Sequence, residues 1–352
     1  MNILAIETSC DETSIALVTA KGGLHNPQFN IHKNIISSQI EMHRPFGGVV
    51  PMIAKREHIK NLPLVWKKFV ENKNEIDAVA VTVGPGLAPA LWQGVEFAKV
   101  LAKELEKPLI GVNHLEGHLL SFLAKKPTTY KLPTKNSPAI ALIASGGHTI
   151  LLHVESLTRW KKLGETRDDA TGEAFDKVGK MLGLPYPGGP EIEKLALRQA
   201  QGKQKKGTIE FPRPMIHAKN YDFSFSGLKT AVLYYLRDMV NTTSDKKKRL
   251  TKKMKADVAA SFQEAIVETL VTKTMCAVDE YKAKSIMLSG GVAGNKYLQK
   301  NLKQKAKSRK IPLLTAPMRL QTDNAGMIGI AAYITHLKKK SYKIEAQPNL
   351  NV

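Results

Sequence analysis

Two histidines four apart, His114 and His118, sit in the stretch NHLEGHLL at 113–120. On a helix, positions i and i+4 lie on one face. Two neutral imidazoles so placed can share one metal ion, since their nitrogens ligate zinc, iron and nickel. The same pair can also simply cap or line a helix. The peptidase motif H-E-x-x-H needs its general base directly after the first histidine. Here Leu115 holds that place and Glu116 comes one later, which argues against proteolysis. Any further ligand must come from elsewhere in the chain.

The acidic residues supply candidates. Asp11 and Glu12 lie in the first turn, Asp176 follows Phe175 in GEAFDKVGKMLG, and Asp323 opens the last helix at TDNAG. Singly each is an ordinary cap; together they can line a cleft as ribose acceptor, metal ligand and general acid or base. Three turns could cradle a phosphate. They are Ser9–Thr13, then Ser145-Gly146-Gly147-His148-Thr149, then Ser289-Gly290-Gly291 running to Gly294-Asn295. Each follows an apolar strand, and glycine lets backbone N–H groups approach an anion. Neither G-x-x-x-x-G-K-[ST] nor G-x-G-x-x-G occurs, so neither a P-loop nor a Rossmann site is indicated. His148 is either a site residue or a turn residue bonded to its own hairpin. In DFSFSGLKTAVLY (222–234) the serines and lysine could bind an anion, or Phe223 and Phe225 could anchor a helix start.

The elements that must position these residues repeat. ILAIETSCDETSIALV and PAIALIASGGHTILLHV each read as strand, tight polar turn and returning strand. Aligned, they put Ser9 on Ser145 and Thr13 on Thr149, an offset of 136. A repeat of that size implies two duplicated lobes with a cleft between them. The Pro-, Thr- and Lys-rich stretch 124–137 is the expected boundary. Residues 77–105 read as a strand, a Gly84-Pro85-Gly86 turn and an amphipathic helix. Residues 107–124 read as a strand entering the helix with the histidine pair. Helices are expected at 173–183, 190–201 and 322–337, and a strand, glycine turn and helix at 285–302. Segments 202–210 and 241–255 read as exposed insertions.

The 352 residues fit two lobes, and 43% hydrophobic with 24% charged content is ordinary for a globular protein. No apolar run reaches the ~18 residues of a membrane span, and the N-terminus lacks the basic region of a signal peptide. Cys10 and Cys276 form no metal or disulfide spacing, so a reducing cytoplasm is expected. Net charge is +22, clustered in KKKRLTKKMK (246–255), KYLQKNLKQKAKSRK (296–310) and Lys338–Lys340. Such surfaces bind nucleic acid through counterion release, with steep salt dependence. Few aromatics are present for base stacking.

The motifs AIETSCDETS, GGVVP (47–51), GPGL (84–87), NHLEGHL, ASGGHT, GEAFDKVGKMLGLPYPGGP, FPRPM (211–215), DFSFSGLKT, SGGVAGN and TDNAG together resemble the TsaD family of tRNA threonylcarbamoyladenosine transferases. The resemblance runs over residues 1–340 and looks like the bacterial branch. It implies an α/β protein with the two-lobed actin, Hsp70 and sugar-kinase fold, built of duplicated ribonuclease-H-like lobes around a central cleft. One lobe would span 1–130, with 322–340 packing back on it. The other would span 137–352, with inserted helices at 170–255.

By the same resemblance, threonylcarbamoyl passes from threonylcarbamoyl-AMP to the N6 amine of adenosine 37 in tRNAs reading ANN codons. His114, His118 and Asp323 would hold one divalent metal per subunit, iron(II) or otherwise zinc. Ile143, Ala144, Ser145, Gly146, Gly147, Asp176, Gly189 and Asn295 would bind substrate, with Glu193 at a further family contact position. ATP or ADP would enter the same cleft. A TsaB-like paralogue and a TsaE-like ATPase are the implied partners, with no membrane. Asp11 or Glu12 as acceptor of the amine proton is an inference from their placement. Met52 stands where many bacterial members have Glu, Ala144 replaces a common Val, and Gly294 a common Ala. Rival readings are a kinase of the same fold, which leaves the histidine pair unexplained, and a non-catalytic nucleotide-binding scaffold.

Overall fold

The structure, a computed structural model, describes residues 1–124, 137–200, 209–241 and 250–352. Most of the expected boundary 124–137, most of the 202–210 insertion and the 242–249 part of the basic insertion lie outside the described residues.

Strands β1 (Asn2–Glu7), β2 (Glu12–Lys21) and β3 (Gln28–Ser38) form an antiparallel meander. On the other side of β1, β4 (Ala78–Gly84) and β5 (Leu109–Asn113) add in parallel, giving the order β3-β2-β1-β4-β5. The second sheet repeats this. Its meander is β6 (Ala139–Ala144), β7 (Thr149–Ser156) and β8 (Arg159–Glu165), and β9 (Ser285–Ser289) and β10 (Leu313–Thr315) add in parallel. The hairpin repeat seen in the sequence is therefore one part of a repeated five-stranded sheet. β1, β4, β6 and β9 are continuous apolar runs because helices cover both of their faces.

Helices α1 (Ile40–His43), α2 (Pro51–Trp66) and α3 (Ala88–Glu104) belong to the first half, and α2 and α3 bury one face of its sheet. The helix α4 (His114–Leu120) follows β5. In the second half, α5 (Thr171–Met181), α6 (Gly188–Ala200), α7 (Ser226–Asn241), α8 (Lys252–Glu280) and α9 (Lys296–Ser308) pack over the other sheet. The last helix, α10 (Ala325–Leu337), lies against β1, β2 and α4. A third core joins α4 and α10 to the inner faces of both sheets, with Ile3, Ala5, Ile143, Leu152 and Met287 among its members. The tail after α10 continues along the first sheet, where Tyr342, Ile344 and Leu350 pack.

Two expectations shift. Residues 252–255, exposed at Lys252 and Lys253 as expected, are the first turn of α8 rather than an insertion, because the Thr251 hydroxyl caps the Met254 N–H at 3.2 Å. Asp323 does not open α10. Asn324 is the cap, accepting from Met327 N–H at 3.1 Å, which leaves the Asp323 carboxylate free to face elsewhere. Among the described residues, no helix is long and apolar enough to cross a membrane.

Candidate metal and nucleotide site

The Asn113 side chain starts α4 by accepting from the Leu115 and Glu116 N–H groups at 2.8 and 3.3 Å. Its amide donates in turn to the Asn351 carbonyl at 2.8 Å. One helical turn then stacks His114 and His118, with ring centroids 4.7 Å apart. Gly117 between them is a packing requirement: a Cβ there would sit 2.9 Å from Ile328 of α10. Close approach of α4 to α10 brings both rings to Asp323. Its Oδ1 lies 3.1 Å from His118 Nε2 and 3.6 Å from His114 Nε2. The three donor atoms fall within 4.8 Å of one another, a group able to hold a metal ion.

The donor set fits an ion. Donor atoms around a shared divalent cation stand roughly 3.0–3.4 Å apart, and the two distances from Asp323 to the rings, 3.1 and 3.6 Å, are close to this. His118 Nδ1 is buried without a hydrogen-bond partner among the described residues, and Nε2 faces Asp323 at 3.1 Å, a costly state for the ring unless something else satisfies it. His114 Nδ1 faces Glu7 Oε2 at 2.9 Å. Nδ1–H therefore donates to the carboxylate and Nε2 presents its lone pair to the site, the usual outer partner of a ligating histidine. Burial works against charge on His114, but Glu7 and Asp323 outweigh it and raise the ring to about 9 in the absence of a cation. Burial raises the Asp323 carboxyl, but His114 and then His118 outweigh it and hold it well below the usual carboxylate range. A divalent cation would take over the role of that proton.

Glu7 did not stand out in the sequence. It ends the apolar strand NILAIE, is fully buried, and accepts further bonds from Thr82 Oγ1 at 2.7 Å and Ser9 N–H at 2.5 Å. A carboxylate continuing an apolar strand is the signal that could have found it, because buried acids are rare without partners.

The first turn carries the acids. Asp11 is buried and Glu12 partly so; burial first and then Asp11 push the Glu12 carboxyl well above its ordinary value. Gly86 of GPGL closes on this turn, with room for no side chain: a Cβ would stand 2.6 Å from the Ser9 carbonyl.

The second hairpin differs. Ile143 and Ala144 end β6 and are fully buried, and Ser145 follows. The turn closes on itself, Ser145 N–H to the His148 carbonyl at 2.8 Å and His148 N–H to Ser145 Oγ at 3.1 Å. Thus the backbone of His148, not its ring, seals the hairpin. The ring is lowered to about 4, by burial and then by the field of His114 and His118. It lines a cavity of about 240 Å³ with Leu115 and the tail residues Pro348–Val352. Gly146 and Gly147 are exposed, and nothing lies within 4 Å of a Cβ built on either. Packing within the chain gives no reason for these glycines; close approach of a ligand would.

Asp176, Gly189 and Asn295 gather around the same side. Asp176 Oδ1 accepts from Gly188 N–H at 2.7 Å, at the start of α6. Burial raises the carboxyl to about 6, against the amides of Gly188 and Gly189. Asn295 caps α9 through Leu298 N–H at 2.9 Å and donates to Gln263 at 2.8 Å. Glu193 Oε1 accepts from Lys296 N–H at 2.5 Å. DFSFSGLKT is occupied internally: Ser224 and Ser226 donate to Asp168 at 2.6 and 2.7 Å, Lys229 pairs with Asp169, and Phe223 and Phe225 are buried anchors.

Two sheets of one topology, with helices between and around them, define a two-lobed α/β protein of the actin, Hsp70 and sugar-kinase class. Full-length HypF in its phosphate- and nucleotide-bound form matches with TM-score 0.57 at 14% identity, covering 98% of this chain and 56% of that one. HypF of T. kodakarensis gives 0.56 at 15%, over 96% and 48%. At such identities the likeness establishes the fold alone. The family model for tRNA N6-adenosine threonylcarbamoyltransferase matches residues 30–330. A protein of that name from Moorella thermoacetica is 48% identical over 96% of this chain and 93% of its own. Another, from Thermosipho melanesiensis, is 46% identical over 100% of both. The chain belongs to the tRNA N6-adenosine threonylcarbamoyltransferase family.

Proposed function

We propose that this chain moves the threonylcarbamoyl group of threonylcarbamoyl-AMP to N6 of adenosine 37 in tRNAs reading ANN codons, releasing AMP. The observation that carries the reading is the His114–His118–Asp323 group, its two histidines buried, set beside the acidic turn and the second hairpin in a family member matched along its length.

His114, His118 and Asp323 would hold one divalent ion, iron(II) or alternatively zinc; when bound, it supplies Lewis-acid polarisation of the carbamoyl carbonyl. Glu7 keeps His114 in the ligating tautomer. The strand end Ile143–Ala144 sets the position of Ser145, Gly146 and Gly147. The backbone N–H groups of Gly146 and Gly147 offer donors to the phosphate and to charge developing on the carbonyl oxygen, while Ser145 N–H holds the turn closed. Asp176, Gly189 and Asn295 line the nucleotide side, with Glu193 beside them, and the same cleft would take ATP or ADP. The adenosine amine attacks the carbamoyl carbon, the bond from that carbon to the phosphate oxygen breaks, and AMP leaves. The amine proton passes to Glu12 or Asp11. Burial and then the Asp11 charge raise the basicity of the Glu12 carboxylate.

The lobes in this reading are 1–130 with 322–340, and the remainder of 137–352. The exposed lysines of α9, which begins directly after Asn295, suit the tRNA backbone. Met52 and Ile59 on α2, with Trp92 and Val100 on α3, are exposed apolar residues suited to a TsaB-like paralogue. A TsaE-like ATPase and a cytoplasmic setting complete the proposal. The test is incubation of the chain with threonylcarbamoyl-AMP and unmodified tRNA, scoring AMP release and the modified nucleoside. ATP-dependent phosphate transfer to a small acid or sugar without tRNA would instead support the kinase alternative.

A further inference from the structure

The Ser9–Asp11 turn is held from outside at three successive carbonyls. Ser9 accepts from Leu87 N–H at 2.8 Å, Cys10 from His58 Nε2 at 2.9 Å, and Asp11 from Gln39 N–H at 2.9 Å. A carbonyl accepts only, so His58 carries its proton on Nε2 and its Nδ1 is an acceptor. Nδ1 receives the Thr13 hydroxyl at 2.8 Å and Gln39 Nε2 at 3.3 Å. Gln39 Oε1 then accepts from His43 Nε2 at 3.2 Å, and His43 Nδ1 accepts from Val50 N–H at 3.2 Å. The donors therefore all point one way, from Val50 through His43, Gln39 and His58 to Cys10. Gln39, His43 and His58 are at most 1% exposed, so each orientation is enforced by the cost of leaving a buried group unpaired.

The outer end of this chain reaches the other half of the molecule. Lys180 Nζ of α5 donates to the Phe46 carbonyl, and Arg44 Nε donates to the Tyr186 carbonyl, both at 3.2 Å. The loop at 44–50 thus touches the segment that leads to Gly188 and Gly189, while its buried end meets the acidic turn.

We propose that the one-way hydrogen-bond chain Val50–His43–Gln39–His58–Cys10 couples the contact between the two halves at residues 44–47 to the placement of Asp11 and Glu12. His58 and Gln39 are positioning residues for that turn. The inference rests on the transferase reading for its effect on rate, but not for its effect on the turn.

The test uses the full chain with its metal retained, comparing His58→Leu, His58→Gln and the surface pair Arg44→Ala with Lys180→Ala. Backbone hydrogen exchange at residues 9–13 and the kcat and KM of AMP release are read in each. Misplacement of a reacting group by about 1 Å costs on the order of a hundredfold. His58→Leu should lower kcat on that scale with KM for tRNA unchanged. His58→Gln restores a donor to the Cys10 carbonyl and should recover most of the loss. The surface pair leaves every buried group in place, so it keeps the fold, and it should still speed exchange at 9–13. Unchanged exchange at 9–13 in the surface pair overturns the coupling, whether or not His58→Leu folds. A kcat loss that His58→Gln does not recover overturns the positioning role. If the unmodified chain transfers nothing, the transferase reading fails on its own and the exchange measurements alone decide the coupling.

Discussion

The two hairpins, β1–β2 and β6–β7, share strand order and register, yet their turns have opposite character. The first holds Asp11 and Glu12 and is pinned at three carbonyls by donors from elsewhere. The second has no acid, closes on its own serine, and presents two exposed glycines with open space where a side chain would stand. Strand pairing and core burial constrain the strands in both copies, but a turn carries little burial and can diverge. The duplicated frame thus came to face a carboxylate-rich, metal-capable side with a glycine turn that carries no acid. The chemistry we propose needs both: negative groups to take a proton and hold a cation, and bare N–H donors to meet a phosphate.

That division breaks first at the triad. His118→Ala combined with Asp323→Ala should abolish metal retention and lower transfer by at least about a hundredfold, since even outer partners are worth 10–100-fold. Metal analysis of the purified protein and AMP release check it; wild-type transfer in the double variant removes the metal from the mechanism. Next comes Glu7→Gln. An amide oxygen accepts from His114 more weakly than a carboxylate, so metal affinity should fall about 10–100-fold while the fold persists. A chelator titration that matches the wild type would show that His114 needs no such partner.

The same division explains what was legible in the sequence. The hairpin repeat, the histidine pair and Asp323 were visible because they lie in short stretches with strong local signals. What escaped depended on contacts distant in sequence. Glu7 meets His114 across two strands. The largely polar strand Gln28–Ser38 alternates only briefly, at Phe29 and Ile31, and depends on its pairing with β2. The freedom of Asp323 turns on which of two adjacent residues caps α10, a choice that propensity does not make because both are good caps. His58 carries no local signal in KREH, and only the fold places it under Cys10.

Glycines sharpen the comparison within the second half. Gly290 has φ +89° and a Cβ there would run into the Ala144 carbonyl, so Gly290→Ala should cost about 1–3 kcal/mol of stability. Gly147→Ala meets no such obstacle and should leave stability within about 1 kcal/mol, yet weaken threonylcarbamoyl-AMP binding. Urea unfolding and ligand titration separate the two. Equal losses of stability would make Gly147 a folding residue rather than part of the ligand surface.

The smallest effect concerns the acids themselves. On the first side, His114 beside Glu7 overcomes burial and lowers that carboxyl. On the second, Asp176 has no cation beside it and burial raises it to about 6 from 3.8. A carboxyl whose folded value exceeds its unfolded one opposes folding wherever it must ionise. The cost is full above about pH 6 and fades as pH falls through 6 toward 4. Asp176→Asn removes the charge but keeps an acceptor for Gly188. At pH 8 it should therefore be more stable than the wild type by about 1–3 kcal/mol, with the gap closing by pH 4. A variant less stable at pH 8 would mean that the charged bonds to Gly188 and Gly189 outweigh burial. Asp176 would then be an ordinary helix cap, and the second side would have lost its claim to a carboxyl tuned for the nucleotide.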